Sequence, residues 1–227
     1  MGWLLMLKKL VGKFSKIAFV PAVFIFPVIF LQPDTERIIL GILHYFLVVG
    51  LLLTQPDVKY IASASKLAAK PSSDRYTFIY LFVYAFLAIL APYYATMLKD
   101  AKISILSIES VLGFILGLFG LLFRFYSLKH LGKWFSAEVI IEENHELVKS
   151  GPYGYLRHPS YTGVLLYYSS IPLMMSLSFA WVLGAFVFST FVYILRIRVE
   201  EKLMVRHFGV EYENYKKSTW ALIPYIY

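Results

Sequence analysis

Two polar clusters interrupt an otherwise apolar chain. The first is Gly151-Pro-Tyr-Gly-Tyr-Leu-Arg157-His158-Pro159-Ser160-Tyr161-Thr-Gly163, and the second, about forty residues on, is Arg196-Ile-Arg198-Val-Glu200-Glu201. Arg157 and His158 sit beside a proline, so a stiff turn presents a cation and a hydrogen-bonding ring. Arg196 and Glu200 are four apart, which places them on one face of a continuing helix. An internal salt bridge with flanking positive charge accounts well for Arg198 and Lys202. It accounts less well for Arg196, at the edge of an apolar run where solvent is scarce. Charges at membrane depth are costly and mark function there. Two such clusters bracketing a hydrophobic hairpin point to a reaction site at a membrane face.

The elements that must position these groups are membrane spans. Of 227 residues 59% are apolar, with 18 Tyr and 19 Phe, against about 45–50% apolar in soluble domains. Aromatics of this kind suit membrane interfaces. There is no cysteine, which excludes disulfides, thiolate metal sites and cysteine nucleophiles. A bilayer-crossing helix needs about 20 mostly apolar residues. Six runs qualify or nearly so: 14–31, 37–54, 76–98, 103–126, 161–177 and 179–196. The last two form a helical hairpin closed by a tight Ser/Phe turn. The first resembles a signal peptide in position only, because it lacks a small-residue cleavage site and contains Pro21 and Pro27.

Basic residues test this map. With Lys8, Lys9, Lys13 and Lys16 inside, the next inside loop holds Lys59, Lys66, Lys70 and Arg75. The third holds Arg124, Lys129, Lys133, Lys149 and Arg157, and the last segment holds Arg196, Arg198, Lys202, Arg206, Lys216 and Lys217. In total 19 of 22 basic residues fall inside, leaving only Arg37, Lys99 and Lys102 outside. Basic residues gather on the cytoplasmic side of short loops. The expectation is therefore an all-α integral membrane protein with about six spans, both termini cytoplasmic, and both polar clusters on that same side. The net charge of +8 reads as this loop bias rather than as a nucleic-acid surface, since no basic helix or soluble module accompanies it.

Gly113 and Gly117 have the spacing of a close-packing helix face, joined by Gly120. No nucleotide-binding glycine fingerprint is present, because the spacing differs and no strand precedes it. Glu109, placed a turn or two inside the fourth span, reads as a side chain reaching back to the outer face. The polar stretch from Lys129 to Ser160, with Glu138, Glu142, Glu143, His145 and Glu146, is longer than an idle connection and more often functional. His44, the polar oddity near the middle of the early spans, reads as a packed structural histidine.

Taken in order, His145-Glu146-Leu147-Val148, Gly151-Pro-Tyr153 and Arg157-His158-Pro159-Ser160-Tyr161 resemble the isoprenylcysteine carboxyl methyltransferase family. So do Arg196-x-Arg-x-Glu200-Glu201, His207-Phe-Gly209 and Tyr212-x-x-Tyr215-Lys-Lys, and so does Arg124 followed by Leu131-Gly132 and Phe135. The likeness covers residues 113–227; the first half matches only in being hydrophobic. It implies a division into three N-terminal spans over 1–100 and a catalytic region over 101–227. That region holds three further spans and a cytoplasmic loop over 129–160, with a cofactor pocket facing the cytoplasm.

The resemblance implies S-adenosyl-L-methionine as cofactor. Its contacts would be His145, Glu146, Leu147, Val148, Tyr153, His158, Pro159, Ser160, Tyr161 and Glu200. It assigns Arg196 to the substrate carboxylate with Arg124 in support, and it places Arg157 and Glu201 behind these groups. The residue types suit this reading. Carboxylates bind ribose hydroxyls or an ammonium, and tyrosine faces attract a cation such as a sulfonium. An arginine fork matches a carboxylate with two parallel hydrogen bonds. The implied partners are a prenylated or lipid-like acceptor entering from the bilayer and the membrane lipids themselves, with no nucleic acid and no metal. The same motifs occur more broadly in phospholipid N-methyltransferases, and sterol reductases share a looser form of the first. Methylation of a lipid amine is thus a rival activity, and a membrane scaffold or transporter a non-enzymatic one. His-Pro-Ser-Tyr leans toward the isoprenylcysteine branch.

Overall fold

In the computed structural model the described residues are 35–54, 88–92, 95–96, 104–135 and 145–227. The expected span 14–31 and most of 76–98 lie outside them. So do Lys8, Lys9, Lys13, Lys16, Lys59, Lys66, Lys70, Arg75, Lys99, Lys102, Glu138, Glu142 and Glu143. The described residues are almost entirely helical. Their one β-type pairing is a parallel bridge between Leu156 and Trp220.

Among the described residues the helices with defined bounds are α1 (Thr35–Leu53), α2 (Ile108–Leu131), α3 (Pro159–Met174), α4 (Phe179–Phe208) and α5 (Val210–Ser218). Short 3-10 turns cover Gly132–Trp134 and Gly151–Gly154. Among the described residues three helical stretches are long and apolar enough to cross a membrane: Thr35–Leu53, Ile108–Trp134 and Phe179–Phe208. The molecule is an integral membrane protein on that reading.

Helix boundaries follow local chemistry and differ from the apolar runs. α2 begins after Ser107, whose hydroxyl accepts the Ser110 N–H at 3.1 Å, so the helix starts five residues later than the run 103–126 and continues past it to Leu131. Glu109 accordingly stands exposed in the first turn instead of inside the span. α3 has Pro159 in its first turn, where a missing N–H costs nothing. Its 16 residues give about 24 Å, shorter than a hydrocarbon core of about 30 Å. α4 does not stop at Arg196, where the apolar run ends, but continues to Phe208 over 30 residues. Arg196, Glu200 and Glu201 therefore ride on one unbroken helix.

α2 and α3 pack most intimately. A Cβ on Gly113 would lie 2.3 Å from the Met174 nitrogen, one on Gly117 2.6 Å from Ser170 Oγ, and one on Gly120 2.6 Å from the Gly163 carbonyl. The three glycines thus let the two backbones touch. α1 joins through His44, fully buried, whose Nε2 lies 3.2 Å from the Tyr167 hydroxyl. The core runs through Leu40, Leu47, Val48, Leu121, Val164, Leu165, Tyr167, Ile171, Tyr193 and Ile197. Much of the outer surface of α2 and α4 remains apolar and exposed, including Ile115, Phe119, Leu122, Phe125, Phe188 and Phe191, as lipid-facing helices require.

Candidate active site

The turn between residues 151 and 158 is fixed from three directions. Gly151 has φ +57°, and a Cβ there would meet the His130 ring at 2.4 Å; glycine alone fits this close, left-handed position. Pro152 and Tyr153 follow in the 3-10 turn, both buried. Residues 219–222 then run alongside. Trp220 N–H donates to the Tyr155 carbonyl at 3.0 Å, Arg157 N–H to the Trp220 carbonyl at 2.8 Å, and His158 N–H to the Ala221 carbonyl at 3.0 Å. The Thr162 hydroxyl adds a bond to the Leu222 carbonyl at 2.6 Å. Backbone pairing of this kind holds a turn without depending on side-chain rotamers.

Arg157 locks the same region by charge. Its Nε donates to Glu201 Oε1 at 2.7 Å, and its Nη1 donates to the carbonyls of Lys216, at 3.1 Å, and Thr219. Glu201 also has Lys216 Nζ at 3.6 Å. His158, 5% exposed, lies between the two glutamates: Nδ1 is 3.6 Å from Glu200 Oε2 and Nε2 3.4 Å from Glu201 Oε1. Its ring stacks on Tyr161, with centroids 5.5 Å apart and planes 4° from parallel.

Tyr161 is the junction of the two clusters. Its hydroxyl donates to Glu200 Oε2 at 2.9 Å and accepts from Arg196 Nε at 3.0 Å. The first turn of α3 and the continuation of α4 are therefore tied by one phenol. Arg124 stands behind them, buried. Its Nε donates to Thr54 Oγ1 at 2.9 Å, and its Nη1 donates to the Ser160 carbonyl at 3.3 Å.

These elements line one open cleft. One end is charged and polar, with Arg157, His158, Tyr161, Arg196 and Glu200. The other is apolar and aromatic, with Leu131, Trp134, Phe135, Leu147, Val148 and Met204. Trp134 stacks on His145 at 4.6 Å, and Phe208 meets His145 edge-on at 5.8 Å. Tyr153, Tyr212 and Tyr215 form the remaining wall. Burial, reinforced by Glu200 and Tyr215, raises the Tyr153 phenol above its ordinary range. Burial and the two glutamates do the same for Tyr212, and burial does so for Tyr215. All three phenols thus remain protonated donors near neutral pH; the Tyr215 hydroxyl donates to the Tyr153 carbonyl at 2.7 Å.

Of the residues read from sequence, His145, Leu147, Val148, Tyr153, Arg157, His158, Ser160, Tyr161, Arg196 and Glu200 line this one cleft. Glu146, Pro159, Arg124 and Glu201 are not on its wall. Glu146 is exposed, Pro159 opens α3, and Arg124 reaches the cleft through the Ser160 carbonyl and the Phe135 ring, whose centroid lies 5.9 Å from its guanidinium carbon. Sequence reasoning missed Trp134 and Met204, and it named Tyr212 and Tyr215 only within the family likeness, without a place in the site. Tyr212 and Tyr215 were within reach of a helical reading, since three residues apart on α5 they share a face.

Residues 111–206 match the model of the isoprenylcysteine carboxyl methyltransferase family. A protein-S-isoprenylcysteine O-methyltransferase of Saccharomyces cerevisiae is 36% identical over 119 residues, covering 52% of this chain and 49% of its own length. One of Dictyostelium discoideum is 34% identical over 122 residues, covering 51% and 49% respectively. The chain spans about half the length of these curated relatives. A solved structure of a eukaryotic intramembrane Ras methyltransferase, an isoprenylcysteine carboxyl methyltransferase, superposes with a TM-score of 0.51 at 21% identity. The superposition covers 96% of this chain and 87% of that one, a likeness of fold.

Proposed function

We propose, from a C-terminal half similar to the isoprenylcysteine carboxyl methyltransferase family over residues 111–206, that this protein methylates the carboxylate of a prenylated cysteine or a similar lipid-like thioether, using S-adenosyl-L-methionine. The observation that carries the proposal is the junction at Tyr161. It brings the His158-Pro-Ser-Tyr turn and the Arg196/Glu200 helix face to one cleft.

The residues present fit the cofactor. Glu200, 26% exposed by side chain, offers a carboxylate to ribose hydroxyls or an ammonium. The buried Tyr153 hydroxyl and His158 Nε2 have no hydrogen-bond partner of good geometry, as expected of groups in the wall of a polar ligand's site. Tyrosine faces suit a cation. When bound, the cofactor supplies an electrophilic methyl group on a sulfonium.

An acceptor carboxylate is ionised at neutral pH, so the chain need not supply a general base. Its work is to hold the acceptor and exclude water. Arg196, 4% exposed, is the group for that anion. Its Nε is engaged by Tyr161, which aims the guanidinium and tempers its grip. Binding the anion too strongly would lower the ground state along with the transition state. Arg124 supports this end by holding the Ser160 carbonyl and so the start of α3.

In this reading the first hundred residues complete the spans to about six, α3 and α4 form a hairpin, and the cleft and both termini face the cytoplasm. The prenyl chain enters from the bilayer while the polar cofactor enters from solution.

The test uses the purified full chain in lipid, with labelled cofactor and a small prenylated cysteine. Label released as methanol by base marks an ester and supports the proposal. Base-stable label on a lipid amine would replace it with N-methylation. No binding of S-adenosylhomocysteine by calorimetry would refute methyl transfer.

A further inference from the structure

The outward faces of α2 and α4 change character at the same end of the molecule. On α4, Val187, Phe191 and Leu195 are 56%, 57% and 41% exposed. One turn further, Arg198, Lys202 and Arg206 continue that stripe and are exposed. At 3.6 residues per turn all six fall within about 100° of arc. On α2, exposed Leu118, Leu122 and Phe125 give way to exposed Lys129, with Lys133 just beyond the helix end. Both basic ends lie beside the cleft, since His130 abuts Gly151 and Glu201 pairs with Arg157.

None of Arg198, Lys202, Arg206 or Lys129 has an ion-pair partner among the described residues. The carboxylates of α4 itself turn inward, Glu200 to Tyr161 and Glu201 to Arg157. The exposed acids at this end, Glu146, Glu211 and Glu213, stand on other segments, and Glu211 is paired with Lys149.

We infer that the Arg198–Lys202–Arg206 stripe, extended by Lys129, binds the phosphate headgroups of anionic phospholipids whose acyl chains lie along the Val187–Leu195 face. Charge complementarity selects the occupant, and the apolar face directly above the cations selects a lipid over a soluble anion. A basic side chain near an anionic bilayer surface gains about 1 kcal/mol, about five-fold in local lipid preference per residue. The lipid would also fix the depth of the neighbouring cleft. The inference rests on the membrane placement of α4 and is independent of methyl transfer.

The experiment reconstitutes the full chain in phosphatidylcholine vesicles with spin-labelled phosphatidylglycerol or spin-labelled phosphatidylcholine and reads the motionally restricted fraction by electron paramagnetic resonance. A several-fold preference for phosphatidylglycerol, shrinking at high salt, is expected. Lys202→Gln should lower it part-way towards parity, and Arg198→Gln/Lys202→Gln/Arg206→Gln should bring it to parity. Arg198→Lys/Arg206→Lys keeps the charge and should retain the preference, which separates lost binding from lost folding. Equal restriction of both lipids, an unchanged triple variant, or displacement of the lipid by soluble glycerol phosphate would overturn the inference.

Discussion

Tyr161→Phe removes one oxygen and keeps the ring. The stack on His158, at 5.5 Å, and the tilted ring contact with Tyr193, at 4.9 Å, survive. Two charge-assisted hydrogen bonds do not: the one to Glu200 at 2.9 Å and the one from Arg196 at 3.0 Å. Bonds to charged groups are each worth about 1.5–3 kcal/mol. Arg196 is 4% exposed, so little water replaces the lost partner on its side; Glu200, more open, recovers part of the loss. Converting one such bond at 1.4 kcal/mol per decade gives roughly 10- to 100-fold in ligand affinity. Because the phenol restrains both Glu200 and Arg196, the cofactor and the acceptor should weaken together. Glu200→Gln should weaken the cofactor alone, and Arg196→Ala the acceptor alone. The assay is calorimetry with S-adenosylhomocysteine beside acceptor KM and kcat for each variant. Parental affinity for both ligands in Tyr161→Phe, or a change confined to one of them, would refute the junction.

Arg157→Ala strips Glu201 of its 2.7 Å partner in a pair only 10% and 13% exposed. Breaking a buried pair costs about 3–5 kcal/mol, visible as a lower Tm and as faster proteolysis within residues 216–222. Gly120→Ala forces a Cβ to 2.6 Å from the Gly163 carbonyl, and overpacking of that kind costs about 1–3 kcal/mol. Gly184→Ala, with nothing within 4 Å, should leave Tm unchanged in the same thermal scan. Trp134→Ala should weaken S-adenosylhomocysteine binding about ten-fold at unchanged Tm, because the aromatic wall facing His145 supplies about 0.5–1.5 kcal/mol beyond its buried area.

The helix faces were legible because spacing encodes them. A spacing of four from Arg196 to Glu200, or from Gly113 to Gly117, means one face wherever the helix continues. Hydropathy alone misjudged the lengths, since it stops at Arg196 while backbone hydrogen bonding continues α4 to Phe208. Of the site, the residues within local motifs were readable. The wall built by distant chain was not: Trp134 sits in a 3-10 turn with no pattern of its own, and Met204 is one apolar residue among many. The pairing of residues 219–222 with 155–158 leaves no periodic trace, because it is made by backbone groups that every sequence has. Glu109 was misplaced for a similar reason, since the Ser107 cap and not the apolar run sets where α2 starts.

The pairing of residues 219–222 with the turn before α3 has a temporal consequence. The ribosome releases a chain from its N-terminal side at about 5–20 residues per second. Helices α2, α3 and α4 are thus all synthesised before Thr219. Until Trp220 and Ala221 arrive, the N–H groups of Arg157 and His158 lack their carbonyl acceptors. Synthesis of the three helices and fixing of the turn before α3 are therefore successive events. A nascent chain stalled before Thr219 would carry all three helices yet lack this backbone clasp.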